Sequence, residues 1–553
     1  MCVISTGVFF YTSFASFETH DEFNIIEGTV GSNGDLYFAF YVDNEISSKM
    51  PQKGEGYVLD KEKTTCTNEA SVEFNETEWS VKVVNMKERN TKCTLYFESR
   101  YSEDILNGTD PVLKDPLIPV TIEADGTVKK ADIKNKWYSY EDKEWANAVI
   151  LFDESQNSNY QVGDTILEEA IESYFVWIPK YRYQLWDLGQ YDSLTEIDTS
   201  KVHEIPIIFG NYTTLDEREG ECTTPMKSGA TGNCQIGDYM THPAFLSIPS
   251  TGFWVGKFET GYNGANSTTE AEQNVNDSSK VIIKPNTYSW RNIQVANAFY
   301  TSYDYKRELD SHMMKNTEWG AVAYLQHSKY GSATSVRLNN NSSSITGYAA
   351  NDEPVCDYSQ EKIECQISCN DGTCNIAYPN SILASTTNNT SGIFDMSGGS
   401  WEYVMGVIVD ESGNPMSGRN SISNSKFNGT FGCPTCDNDS SGLTQLTEGY
   451  EWPNKKYYDI YLNNGSDQNY TSRILGDATG EMGPFKGYTS TTAGLKRIGS
   501  WYDDHPFLVT NYVPWFVRGG NRGDGSMAGI FCFGNNFGDV LTWISFRLIL
   551  TPS

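Results

Sequence analysis

The chain has 553 residues, enough for roughly three to five domains at about 100–200 residues each or for one large domain with smaller companions, and its 41 Lys and Arg face 72 Asp and Glu, a formal net charge of −31. A surface this acidic repels phosphate backbones and anionic headgroups, which argues against a nucleic-acid binder or a peripheral membrane protein. With 13% aromatic residues, 34 Tyr, 47 Gly and only 20% charged residues, the chain is neither an acidic disordered polymer nor a helical array; short strands, turns and ordered loops are expected.

Residues 1–23 open on an apolar run, Met1 to Tyr11, without a basic leader. It reads either as a first β-strand or as the remnant of an export or anchor segment. No stretch of the chain is long and apolar enough to span a bilayer. Residues 24–99 read as a small all-β domain, with strand-like runs at Asp35–Val42, Trp79–Val84 and Thr94–Phe97 and turn chemistry at Pro51–Gly56. Cys66 and Cys93 are expected to staple it as a sandwich, the immunoglobulin-like solution, although no Trp stands clearly at the landmark position.

Residues 100–172 read as a connector of polar turns and short apolar runs such as Ala146–Phe152. The character changes at Tyr174–Tyr183, which opens an aromatic, Gly-rich region of residues 173–553. No repeat of fixed period occurs in it, so a solenoid or propeller is disfavoured. One helix is expected near Ser311–His327, where Trp319, Val322 and Ala323 share a face. Asn-rich loops near Asn339, Asn388 and Asn463 read as surface insertions.

Most of the 12 cysteines come in local pairs within acidic, Asn-rich loops, which points to disulfides in an oxidising compartment. The expected pairs are Cys66 with Cys93, Cys222 with Cys234, two bridges within Cys356–Cys374, and a tight bridge between Cys433 and Cys436. The last pair forms a C-x-x-C, but no strand–helix unit surrounds it, which disfavours a redox enzyme.

Four blocks of the second half carry a resemblance. They are Thr251-Gly-Phe-Trp-Val-Gly-Lys-Phe-Glu-Thr, Asn316-Thr-Glu-Trp-Gly-Ala-Val-Ala-Tyr-Leu, Phe394-Asp-Met-Ser-Gly-Gly-Ser-Trp-Glu-Tyr, and Pro514-Trp-Phe-Val-Arg-Gly-Gly followed by Ile544-Ser-Phe-Arg-Leu. In this order they resemble the C-type-lectin-like fold of the formylglycine-generating-enzyme type, with Gly320 a departure from its helix motif. The implied fold class is α+β: a large C-type-lectin-like C-terminal domain preceded by the small immunoglobulin-like one. Gly519 and Gly520 would let a strand leave the core through a conformation other residues avoid. Trp401, Trp515, Phe516 and Phe546 read as core aromatics, and Arg518 and Arg547 as buried residues paired with Glu402 or Asp395.

The activity of that family is not expected to carry over. Its enzymes hold copper with two cysteines after the Arg-Gly-Gly strand, and here the stretch offers Cys532 alone. The six histidines are scattered with no ligand spacing, so the three-His iron site of related enzymes is not expected either. The ending is similar instead to lectin-fold proteins diversified by retroelements, whose exchangeable residues lie between the Arg-Gly-Gly and Phe-Arg strands and form a binding face. That resemblance assigns ligand contact to Asn521, Arg522, Cys532, Gly534, Asn535, Phe537, Asp539, Val540, Leu541 and Trp543, all expected at the surface, with Arg522, Phe537 and Trp543 as anchors.

Two further signals are weaker. Asp437, Asp439, Ser441 and Glu448 match the oxygen spacing of a calcium loop, although Thr444 stands where an aliphatic residue belongs and Cys436 precedes it where a helix should run. Arg522-Gly-Asp524 is an adhesion-type tripeptide of a length that arises by chance. Asn-x-Ser/Thr triplets such as those at Asn75, Asn107, Asn211 and Asn266 are expected from composition alone.

The expectation is therefore a non-catalytic adhesin or receptor-binding protein at a cell, extracellular or virion surface. It needs no cofactor, with calcium an option. Its partner is a protein or glycan on a cell surface, not nucleic acid, and the chain as given does not insert in a membrane. The alternatives are a metal-dependent oxidase of the formylglycine-generating class and a structural surface or virion subunit.

Overall fold

A computed structural model of the chain describes residues 27–30, 36–42, 47–49, 57–75, 80–88, 91–99, 110–135, 137–184, 204–210, 239–248, 250–339, 344–349, 355–357, 364–366, 377–409, 453–462, 474–479, 504–509 and 513–552. The fold is mixed α and β, mostly sheet with few helices, in keeping with an α+β class. The chain divides into two compact units, Met1–Asp110 with Asp132–Trp137, and Pro111–Ala131 with Tyr138–Ser553. No helix among the described residues is long and apolar enough to cross a membrane.

In the first unit, strands β1 (Glu27–Val30), β2 (Leu36–Val42), β4 (Tyr57–Leu59), β5 (Thr65–Cys66) and β8 (Thr91–Ser99) form one antiparallel sheet, ordered β1-β2-β8-β4 with β5 also on β8. A second sheet holds β3 (Ser47–Lys49), β6 (Ser71–Asn75) and β7 (Ser80–Val84). Alternation in β7 turns Val81 and Val83 inward and Lys82 outward. The two valines share one apolar core with Phe40, Val42, Leu59, Leu95 and Phe97 of the first sheet. Cys66 and Cys93 are joined by a disulfide. The bridge does not run across the sandwich as expected: the two residues are direct partners on β5 and β8, neighbouring strands of one sheet.

The second unit is organised around an eight-stranded antiparallel sheet. Its strands are β9 (Ile118–Ile122), β10 (Val128–Lys130), β11 (Asn147–Leu151), β12 (Thr165–Ile166), β13 (Ile171–Pro179), β14 (Gly252–Gly256), β15 (His312–Met313) and β21 (Leu548–Leu550). Their order is β12-β10-β9-β11-β13-β14-β21-β15. The stretch read as a connector thus supplies four strands to this sheet. β11 is buried along its whole length, which is why its run of apolar residues shows no alternation. Trp177 and Trp254 are cross-strand partners and meet edge to face at 5.3 Å.

A five-stranded sheet carries the C-terminal motifs. β16 (Trp401–Val409), β17 (Asp459–Leu462), β18 (Trp515–Gly519) and β19 (Gly529–Asn536) are ordered β17-β16-β18-β19, and β20 (Ile544–Phe546) also pairs with β16. Among the described residues of this unit, two α-helices pack, α1 (Val295–Tyr305) and α2 (Asn316–Gln326). Every residue of α2 is buried. A Cβ at Gly320 would lie 2.0 Å from the Gly476 carbonyl oxygen, so only glycine lets residues 474–479 pass this close to the helix.

Of the other expected disulfide partners, Cys356 and Cys365 are backbone partners in the short ladder of Val355–Asp357 and Glu364–Gln366. Cys222, Cys234, Cys369, Cys374, Cys433 and Cys436 lie outside the described residues, as do Asp437, Asp439, Ser441 and Glu448.

Candidate functional site: the segment between β18 and β20

The segment begins at a buried cation. Arg518, at the end of β18, is fully buried and donates to Asn316 Oδ1 at 3.3 Å and to the Asp477 carbonyl at 3.2 Å, beneath the Trp319 ring. It was expected to pair with Glu402 or Asp395, but it reaches neutral acceptors of α2 and the 474–479 segment instead. Burial lowers its pKa to about 10, against the opposing pull of Asp477, so it stays charged near neutral pH. Arg547 does meet Glu402, through Nε at 2.9 Å and Nη2 at 2.5 Å, and donates a third bond to the Gly256 carbonyl at 2.8 Å. These ties hold β14, β16 and the residues flanking β20 in one fixed frame.

Two further carboxyls lie buried beside this pair. Asp395 Oδ2 accepts the Glu259 N–H at 3.2 Å, and Glu259 Oε1 accepts the Ser400 N–H at 2.7 Å. Burial raises both above the usual carboxylate range, Asp395 to about 7 despite the opposing pull of Arg547.

The chain leaves β18 through Gly519 and Gly520 at φ of 84° and 72°. A Cβ on Gly520 would fall 2.8 Å from Ala528 Cα, so the turn requires glycine there. Asn521 and Arg522 follow, both half-buried. The Asn521 N–H donates to Asp524 Oδ2 at 2.7 Å, the Gly523 N–H to Asn521 Oδ1 at 2.7 Å, and the Arg522 N–H to the Gly399 carbonyl at 3.1 Å. Residues 504–507 then line the free edge of β19: the Phe533 N–H reaches the His505 carbonyl and the Phe507 N–H the Phe533 carbonyl, each at 2.9 Å.

Between β19 and β20 the backbone is tied down while side chains turn outward. Tyr403 Oη lies 2.7 Å from both Asn536 Oδ1 and the Asp539 carbonyl and shares its one proton between them. The Asn292 N–H reaches the Leu541 carbonyl at 3.0 Å, Arg291 Nη1 binds the Thr542 carbonyl, and the Trp401 N–H reaches the Trp543 carbonyl at 2.9 Å. Phe537, Asp539, Val540 and Leu541 are half-buried, and Trp543 is 45% exposed, unusual for a residue of its size. Asn535 is half-buried too, its Nδ2 donating to the Leu508 carbonyl at 2.6 Å.

Two residues expected at the surface are not there. Cys532 is fully buried, and burial pushes its thiol well above the ordinary range, which keeps it protonated and unreactive. Gly534 is buried beneath Trp401: a Cβ there would come within 3.1 Å of that indole and of Val517. Both sit on β19 between β18 and the 504–507 edge, where strand position rather than loop exposure decides burial. Trp401, read as core, is half-buried, and the sequence reading missed its neighbours: His505 stands edge-on to it at 6.0 Å and lies 4.1 Å from the Phe507 ring. These three rings extend the face that the segment presents. Nothing in the sequence His505-Pro-Phe507 says that it borders β19.

Among the described histidines, His242 is buried and held neutral, its pKa lowered to about 3 by burial, while His312 bridges the Asp310 carbonyl at 2.8 Å and Glu318 at 3.1 Å. Burial alone would raise Glu318, but Lys315 and His312 beside it hold it below its ordinary value. Among the described residues no group of three or more His, Cys, Asp or Glu side chains is placed to hold a metal ion. A scan against protein-family models finds no family that matches this chain, and a search of curated proteins finds no matching relative.

Proposed function

We propose that this chain is a non-catalytic ligand-binding protein of the adhesin or receptor-binding kind. Its C-terminal region is read as a C-type-lectin-like domain of the formylglycine-generating-enzyme type, and its first unit as an immunoglobulin-like stalk. The observation that carries the reading is the segment 537–543. Its backbone carbonyls are held by Tyr403, Asn292, Arg291 and Trp401, while Trp543 stands 45% exposed. A side chain presented from a frame already ordered loses little entropy on binding, and Trp and Arg supply the largest contact energies at interfaces. The contact set is accordingly Asn521, Arg522, Asn535, Phe537, Asp539, Val540, Leu541 and Trp543, extended by Trp401, His505 and Phe507. The Cys66–Cys93 bridge supports an extracellular or surface location. The ligand is a protein or glycan on a cell surface, and the face is open to diversification by retroelement.

The test is attachment of the intact labelled chain to cells taken from its environment. Trp543→Ala combined with Arg522→Ala is expected to lower attachment at least tenfold without changing the melting temperature. Unchanged attachment would make the chain a structural surface subunit. Sequencing the same gene across a population tests diversification separately. Substitutions should crowd at Arg522, Asp539, Leu541 and Trp543 and spare Arg518, Gly519, Gly520 and Phe546; a uniform window would end that part of the reading.

A further inference from the structure

The aromatic corner of the display face is assembled from two distant stretches of chain. Trp401 opens β16, whereas His505 and Phe507 belong to residues 504–508 at the edge of β19. Burial alternates along that short run: Asp504 and Pro506 are buried, His505 and Phe507 half-buried. This is the period of a strand, so turning Asp504 inward turns both rings to the side where Trp401 stands, 6.0 Å from His505. A slip of one residue would exchange the two faces and take the rings away from Trp401. Asp503 carries the same side chain one position away, so the slip has a destination.

Backbone pairing alone specifies this register weakly. Pro506 has no N–H to donate, and the run meets β19 in a bridge of Pro506 with Phe533, made by the Phe533 N–H on the His505 carbonyl and the Phe507 N–H on the Phe533 carbonyl. Asp504 supplies a contact that only one register allows. Its side chain is 5% exposed, and Oδ2 accepts the Phe531 N–H at 3.0 Å. A Cβ on Gly529 would overlap both carboxylate oxygens, so the seat exists because residue 529 is glycine. The His505 N–H reaches the Met527 carbonyl at 2.8 Å, and at the far end Asn535 Nδ2 donates to the Leu508 carbonyl. These ties remain when Asp504 is replaced, so its loss unseats one end of the run and leaves the sheet in place.

We infer that Asp504 is a positioning residue of the display face: seated against Gly529, it fixes the register of residues 504–508 and so presents His505 and Phe507 beside Trp401. It touches no ligand itself and acts through those two rings. Its effect on binding rests on the display-face reading; its hold on the register does not.

His505 is one of six histidines, so its ring Cε1–H signal can be followed by carbon-edited proton NMR on the intact chain and assigned with His505→Gln. In the parent the ring currents of Trp401 and Phe507 should displace it; the Phe507 ring is 4.1 Å away. Asp504→Ala should return it toward the position of a free histidine. Gly529→Ala, which fills the seat and leaves Asp504 in the chain, should do the same. Asp504→Asn keeps an acceptor for the Phe531 N–H and should leave the signal close to the parent's. The buried His242 and His312 report on the rest of the fold, and their signals should stay where they are. Attachment to cells should fall about fivefold or more in Asp504→Ala, the weight of one ring contact at an interface, and less than twofold in Asp504→Asn. A His505 signal unmoved by both Asp504→Ala and Gly529→Ala overturns the inference, as does a failure of Asn to restore it. So does unchanged attachment of Asp504→Ala where Trp543→Ala with Arg522→Ala lowers it. If that pair also has no effect, the display-face reading fails, and the NMR result still decides the register.

Discussion

The two units solve the problem of holding a sheet protein together in different ways. The first has an apolar core with one disulfide pinned into it, and no buried ion pair among its described residues. The second buries Arg547 with Glu402, Lys315 with Glu318, Lys257 on neutral oxygens, and Arg518 beneath an indole. A small domain buries too small a share of its surface to be secure on apolar burial alone, so a covalent cross-link adds most there. A large core can tolerate charges whose desolvation costs about as much as their pairing returns, and such pairs have narrow geometric needs. The difference teaches that the second unit spends stability on a defined arrangement of strands around the segment between β18 and β20.

The comparison is broken most readily at Glu402. Glu402→Gln takes the directly paired carboxylate from buried Arg547, leaving it only the neighbouring Asp395 and Glu259, and is expected to cost up to about 3–5 kcal/mol, read as a fall in the denaturation midpoint of the large unit. A loss below about 1 kcal/mol would mean that the frame does not depend on the pair. Next is the cross-link. Replacing Cys66 and Cys93 by Ala opens a loop of sequence separation 27 and should cost ~3.5 kcal/mol in the small unit. Hydrogen exchange would show protection falling in β2 and β8 while α2 and β21 keep theirs; an equal fall in both units would end the distinction.

A smaller effect sharpens it. Asp395 has a folded pKa of about 7 against ~3.9 unfolded, so between these values the folded state holds a proton that the unfolded state has released. Its contribution to stability is present below about pH 4 and lost as pH rises through about 7. Asp395 sits at φ 66°, a conformation Asn tolerates, so Asp395→Asn keeps the backbone and the acceptor for Glu259. Thermal melts from pH 4 to 8 should show the variant losing less stability than the parent, with a lead of about 2 °C or more at pH 8. Parallel curves would place the titration elsewhere. The smallest expected effect is at Trp543, where Ala should change stability by under about 0.5 kcal/mol, because the ring is half in solvent.

Much of the frame was readable before any coordinates. Gly519 and Gly520 announce positive φ because only glycine makes a turn that tight, and Arg547 found Glu402 because a buried guanidinium needs a fork of acceptors. The expected helix near Ser311–His327 holds as Asn316–Gln326, but α1 went unnoticed, since its aromatic residues and Asn are weak helix formers held by packing. The strands of 118–166 were missed because runs of two to five residues carry little periodicity. Cys532 and Gly534 were misplaced for a related reason. Window composition describes a segment, whereas burial depends on which neighbour covers each position, and that is set by Trp401 and residues 504–507, far away in sequence.

The close fit of Trp401 over Gly534 bears on how this fold could be used as a binding scaffold. A combinatorial library spread evenly over residues 521–543 would spend many of its members on clones that lift the indole or overfill the slot at Cys532. Randomising Arg522, Phe537 and residues 539–543, with 532 and 534 held as they are, confines variety to side chains that already reach solvent. Selection would then choose among ligands and not among degrees of folding.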